Sequence, residues 1–276
     1  MKAVCFLLAL LLSAAASALA DDAAAYREAR VPDTVALPAT VNHAYRLLVP
    51  EGAGKDGAKF PLVIYLHGSG AKGTDNRKQL GEVVPRLLAT KELRAKFPCF
   101  VLVPQCRTGD DALGRPNNWV KWENQKGTQP AEWLHGEAEA SDQLRAAMVA
   151  LDDVLATQAV DKARIYLTGV SMGGSASWSW AAREPQRFAA VITACGLSEV
   201  AKAPALAKLP VWAFHGSDDP IAPVARSRSM VEALRALGAP VKFTEYTGAG
   251  HGIGDRVFTE NKHAVFTWLF TQRRAE

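Results

Sequence analysis

A mostly parallel β-sheet with helices on both faces is the fold class this sequence predicts, and three observations carry it. Short apolar runs alternate with amphipathic stretches along most of the chain. Two of the runs, PLVIYLHG (61–68) and FVLVPQ (100–105), are almost continuously apolar, the pattern of strands buried on both faces. The composition also supplies one sizeable core, since 49% of the 276 residues are hydrophobic and 22% are charged.

The first twenty residues, MKAVCFLLALLLSAAASALA, stand apart. Lys2 precedes an apolar run from Ala3 to Leu12, and small residues then lead to Ala18-Leu19-Ala20. This is the pattern of an export signal with an A-x-A cleavage site, and the run is too short to span a bilayer comfortably. The expectation is a signal peptide over 1–20, one domain over 21–276, and a secreted or periplasmic protein.

The remaining elements follow in order. After a polar stretch (21–40), AYRLLV (44–49) reads as a strand, as does 61–68. A helical stretch near 77–96 leads to the strand at 100–105, and a long polar segment occupies 107–130. Residues 137–157 read as a helix, with Leu144, Met148, Leu151 and Leu155 on one face. RIYLTG (164–169) is a strand, and the helix after it, about 173–183, ends before Pro185. FAAVITA (188–194) and LPVWAFHG (209–216) are strands. A helix at 224–237 closes on Gly238, and VKFTEY (241–246) and a helix at 258–273 complete the domain.

Several function classes fall away. The formal net charge is +4, and no Lys/Arg block marks a nucleic-acid surface. No second apolar run approaches the length of a membrane span, so no membrane association is expected after signal cleavage. The chain has neither C-x-x-C nor a His/Cys cluster with zinc spacing, so no metal or other cofactor is expected. Beyond Cys5 in the leader, the cysteines are Cys99, Cys106 and Cys195. Cys106 and Cys195 each follow the carboxyl end of a strand, whereas Cys99 precedes one. In an oxidising compartment Cys106–Cys195 is the one intramolecular disulfide this order allows, and three buried thiols are the alternative.

The chemistry centres on RIYLTGVSMGGSASW (164–178). Gly169-Val170-Ser171-Met172-Gly173 is a G-x-S-x-G turn between a strand and a helix. Such an elbow forces the serine into strained backbone angles and needs small neighbours, which Gly173, Gly174, Ser175 and Ala176 provide. It exposes the hydroxyl at the carboxyl end of the sheet and aims the N–H of Met172 at a developing oxyanion.

A serine needs a base, and the base needs an orienting acid. In an α/β-hydrolase the two follow in the order acid, then histidine. Asp219, before Pro220 in HGSDDPIAP, is the candidate acid, with Asp218 as competitor. His251, between Gly250 and Gly252 after the last strand, is the candidate base. His67 and His215, each before a glycine at a strand end, read as turn or supporting groups. The second oxyanion donor is expected from HGSGAKG (67–73), at the N–H of Ser69.

YLHGSGAKGTDN (65–76), VPQC (103–106), YLTGVSMGG (166–174), VWAFHGSDDPIAP (211–223) and GAGHG (248–252) together resemble the secreted bacterial esterases of the α/β-hydrolase fold. That group takes in polyhydroxybutyrate-depolymerase-like and plant-biomass esterases related to prolyl oligopeptidase catalytic domains. The likeness extends over roughly 43–273. It implies Ser171, Asp219 and His251 as the triad, and Ser69 and Met172 as the oxyanion hole.

The implied reaction is ester hydrolysis through an acyl-enzyme, on a small-molecule or polymer-linked ester. The alternatives are a serine peptidase of prolyl-oligopeptidase type, which would normally carry a large gating domain for which this chain has no room, and a non-catalytic binding module of the same fold, against which an intact triad argues. Trp119 and Trp122, in the long polar segment, are candidate substrate contacts, with packing of that segment onto the body as the alternative. Only fourteen residues (195–208) separate the strands between which this fold commonly inserts a lid, so no large lid is expected.

Overall fold

The computed structural model describes residues 24–111, 114, 116–122 and 138–274, without the side chains of Trp122, Ala138, Asn261 and Lys262. Residues 1–23, where a signal peptide is expected, and much of the polar segment therefore lie outside the described residues.

Ten strands are present among these residues: β1 Tyr26–Arg30, β2 Ala44–Leu48, β3 Phe60–Leu66, β4 Phe100–Pro104, β5 Val120–Trp122, β6 Ala138–Ala140, β7 Val160–Val170, β8 Ala190–Ala194, β9 Val211–Gly216 and β10 Val241–Tyr246. Six α-helices accompany them: α1 Val83–Ala89, α2 Lys91–Lys96, α3 Asp142–Thr157, α4 Met172–Arg183, α5 Ala225–Ala236 and α6 Gly254–Thr271. Eight strands form one sheet in the order β1-β2-β4-β3-β7-β8-β9-β10. β1 and β2 run antiparallel to their neighbours, and the remaining six are parallel.

Strand periodicity divides the core into two layers. On β3, Leu62, Ile64 and Leu66 face one cluster with Leu144 and Leu151 of α3, Trp180 of α4 and Leu234 of α5. The intervening Val63 and Tyr65 face the other, with Val84 and Leu88 of α1 and Phe258, Phe266 and Leu269 of α6. Each fully buried side chain of this size contributes about 1.5–3 kcal/mol on leaving water. Because both faces are covered, β3 shows no hydrophobic alternation.

Four sequence expectations are corrected here. β1 was hidden in the polar stretch because it is an edge strand with only Tyr26 buried. The helical stretch 77–96 is a 3₁₀ turn (Lys78–Gly81) and two helices, broken where Thr90 turns extended and caps α2 by accepting the Leu93 N–H. The helix expected from 137 begins at Asp142, capped by Ser141, because 138–140 pair antiparallel with β5 as a two-stranded ribbon. Cys106 and Cys195 are free, as is Cys99. They end β4 and β8, which β3 and β7 separate, so three inter-strand spacings place them roughly 14 Å apart. A disulfide needs Cα atoms within about 7 Å.

The segment between β8 and β9 carries a single 3₁₀ helix, Val200–Leu206, and no lid. No helix among the described residues is long and apolar enough to cross a membrane.

Candidate active site

The parallel strands end on one edge of the sheet, and the loops that leave them there carry the chemistry. β7 runs into α4 through Ser171, whose φ of 57° and ψ of −117° lie outside the ordinary regions. Bonds on both sides hold this strained turn. The Ser171 N–H donates to the Ala194 carbonyl at 2.8 Å, and its carbonyl accepts the Ser175 N–H at 3.0 Å. The two motif glycines allow the close approach. A Cβ on Gly173 would sit 1.8 Å from the Leu66 carbonyl oxygen, and one on Gly169 would sit 2.2 Å from the Gly173 carbonyl oxygen. The first turn of α4 therefore rests directly on β3 and β7, which no larger residue permits.

The loops after β9 and β10 are tied together. The N–H of Asp218 donates to the Ala249 carbonyl at 2.9 Å, and the N–H of Gly248 donates to Ser217 Oγ at 2.8 Å. This brings His251 beside both Ser171 and Asp219. Ser171 Oγ lies 2.7 Å from His251 Nε2, and His251 Nδ1 lies 2.7 Å from Asp219 Oδ2. An ionised carboxylate only accepts, so the proton is on Nδ1 and the Nε2 lone pair faces the serine hydroxyl. Cys195 Sγ, 3.3 Å from the His251 carbonyl oxygen, braces the histidine backbone.

Asp219 is the better-supported acid of the adjacent pair. Asp218 is exposed and accepts from Ser217 Oγ. Asp219 has its side chain fully buried. Its Oδ1 accepts the N–H groups of Ile221 and Ala222 at 2.8 and 2.9 Å. Its Oδ2 faces His251 and, at 3.2 Å, His215 Nε2. Burial alone would raise its pKa. The bonds from His215, His251, Ala222 and Ile221 outweigh burial and hold the carboxyl well below the usual carboxylate range.

His215, expected as a turn or supporting group, stands behind Asp219. It is fully buried, with Nδ1 2.7 Å from Ser227 Oγ and Nε2 2.8 Å from the Ala222 carbonyl oxygen. A polar side chain this deep must find partners, and the apolar run preceding the His-Gly pair was the available clue.

The loop after β3 passes close to the serine. A Cβ on Gly68 would lie 3.6 Å from Ser171 Cβ. Ser69 opens a 3₁₀ turn (Ser69–Ala71), and Met172 is the first residue of α4. The N–H groups at such starts have no intrahelical acceptor, which makes both available to an oxyanion. A cleft of about 440 Å³ opens here, lined by residues that include Ser69, Ser171, His251, Ile221, Arg86 and Asp255.

Trp119 does not line the cleft. Only 1% of it is exposed, and it packs edge-on against His67 with ring centroids 5.1 Å apart. The expectation of a substrate contact is therefore corrected: Trp119 is a buried packing residue. The side chain of Trp122 lies outside the described residues.

Strained elbow, sheet order and loop positions together define an α/β-hydrolase. The chain matches the dienelactone hydrolase family model over residues 95–265, and it belongs to that family. A thermostable esterase of known structure is 31% identical, with a TM-score of 0.72 over 91% of this chain and 64% of that one. The acylaminoacyl peptidase of Pyrococcus horikoshii shares the fold, at 17% identity and a TM-score of 0.59 over 91% of this chain and 42% of that one. A stretch of 42 residues is 45% identical to acyl-protein thioesterase 1 of Gibberella zeae, covering 15% of this chain and 18% of that protein. The chain thus spans less than two thirds of the length of the thermostable esterase and under a fifth of the thioesterase.

Proposed function

We propose that the protein is an exported serine hydrolase that cleaves carboxylic esters through an acyl-enzyme. The observation that carries this reading is the unbroken hydrogen-bond run from Ser171 Oγ through His251 to Asp219, both links 2.7 Å, at the floor of an open cleft. In the forward step Ser171 Oγ bonds to the ester carbonyl carbon as His251 Nε2 takes its proton. The carbonyl oxygen becomes an oxyanion and accepts from the N–H groups of Ser69 and Met172, each such donor being worth about 10²–10³ in turnover. The C–O bond to the alcohol then breaks, and His251 protonates the departing oxygen. Water repeats the sequence on the acyl-enzyme and frees Ser171. Asp219 stays ionised throughout and holds the imidazole in the tautomer the transfer requires.

The similarity to an esterase, and the short stretch shared with an acyl-protein thioesterase, support an oxygen or sulfur ester as the scissile group. The absence of a lid between β8 and β9 favours short-chain, aryl or polymer-linked esters presented from water. The leader sequence supports action outside the cytoplasm. A panel of nitrophenyl esters of graded chain length, acetyl- and feruloyl-polysaccharides, an acyl thioester and peptides tests the reading. Short or aryl esters should be preferred, with no jump in rate above the solubility limit. Turnover of peptides alone, or interfacial activation with a long-chain preference, would overturn it.

A further inference from the structure

The geometry points to His67 and Trp119 as positioning residues that fix the peptide carrying the oxyanion donor Ser69. This inference rests on the proposed esterase reading and identifies parts of the machinery that lie behind the cleft. His67 is fully buried at the end of β3. Its Nε2 lies 2.9 Å from the Cys106 N–H, which can only donate, so Nε2 is the acceptor and Nδ1 carries the proton. Nδ1 lies 2.7 Å from the carbonyl oxygen of Gly68. That carbonyl and the Ser69 N–H belong to one planar trans peptide and point in opposite directions. Holding the Gly68 oxygen toward the imidazole therefore aims the Ser69 N–H the other way. The Ala71 N–H, 3.2 Å from the same oxygen, is a second tie on the plane.

Trp119 fixes the plane before it. The indole Nε1–H donates to the His67 carbonyl oxygen at 3.1 Å, and the ring packs against the imidazole. Two consecutive peptide planes, 67–68 and 68–69, are thus held by the buried side chains of His67, just after β3, and Trp119, just before β5. A neutral imidazole is required, since an added proton on Nε2 would oppose the Cys106 N–H. Burial lowers the His67 pKa to about 4 and keeps the ring neutral near neutrality.

Two substitutions at His67 separate the roles. Asparagine places a donor near Nδ1 and retains the tie to Gly68. Glutamine places an acceptor near Nε2 and retains the tie to Cys106 alone. His67→Asn should keep kcat within about tenfold of wild type, and His67→Gln should lose about a hundredfold, with KM little changed in either. Affinity for a boronic acid that mimics the tetrahedral intermediate should fall in step with kcat/KM. Trp119→Phe keeps most of the packing and removes only the N–H donor, so it remains informative if the His67 variants fold poorly. It should lower kcat and boronic acid affinity together while melting close to wild type. Equal kcat for His67→Asn and His67→Gln, or a Trp119→Phe protein with wild-type boronic acid affinity, would overturn the assignment. Ser171→Ala run in parallel keeps the two claims distinct, because wild-type turnover there would sink the esterase reading itself.

Discussion

His215 and His251 aim a ring nitrogen at the same oxygen, Asp219 Oδ2, from 3.2 and 2.7 Å. The other oxygen of that carboxylate is occupied by two backbone N–H groups. Asp219 is therefore held by four donors, and of its two imidazole partners His251 lines the cleft while His215 is buried. Since Nε2 of His215 faces two acceptors, Asp219 and the Ala222 carbonyl, it carries its proton and supports the carboxylate from behind. His215→Gln should reduce kcat by about tenfold with KM almost unchanged, an effect of the size expected for a positioning hydrogen bond. The downfield proton signal of His251 Nδ1–H should shift in the same variant, which loss of packing alone would not produce.

The adjacent acids should separate widely. Asp219→Asn leaves the shape of the site but removes the acceptor that fixes the His251 tautomer, and turnover should fall by about 10³–10⁴. Asp218→Asn removes a bond to the Ser217 hydroxyl at the surface and should change turnover by less than about threefold. Steady-state kinetics on one nitrophenyl ester compares the two. The reverse ranking would place the acid at Asp218.

Stability should depend on pH through His67. Its imidazole, near 6.5 when unfolded, is lowered to about 4 by burial in the folded protein. The folded state thus binds this proton less readily than the unfolded state. The stabilisation is complete above about pH 6.5 and is lost as pH falls toward about 4, a loss of roughly 3 kcal/mol. Asp219, whose folded pKa lies below the unfolded value near 3.9, adds a further loss that begins only below about pH 4. Thermal melts across this range should fall steeply for wild type and more shallowly for His67→Asn. Parallel curves for the two proteins would contradict the assignment.

The three cysteines should behave as buried thiols even under oxidising conditions. Burial pushes Cys106 and Cys195 each up to about 12. Without reductant, an alkylating reagent should label none of Cys99, Cys106 and Cys195 in the native protein and all three after unfolding. A disulfide-linked peptide pair on mass mapping would contradict the strand order.

Much of this site was legible in the sequence because its parts are local. A continuously apolar run marks a strand covered on both faces, and G-x-S-x-G records the contact of Gly173 with the Leu66 carbonyl. The loop bearing Asp219 follows such a strand, and the loop bearing His251 follows the last strand of the sheet. What escaped depends on partners distant in the chain. Trp119 lies in a segment polar enough to read as a loop over the cleft, and its burial against His67 comes from a contact across 52 positions. The support that His215 gives Asp219 appears only once the turn between them folds back. β1 escaped for the opposite reason, because an edge strand can carry charge on its open side.

Covalent labelling of Ser171 tests the central claim most directly. Treating the native protein with a fluorophosphonate and measuring its intact mass should show one phosphonyl adduct per chain, with parallel loss of ester hydrolysis. Peptide mapping should place the adduct on Ser171, and Ser171→Ala should take up none while melting near wild type. An adduct on another residue, or an unlabelled wild-type protein that hydrolyses esters at full rate, would contradict the account.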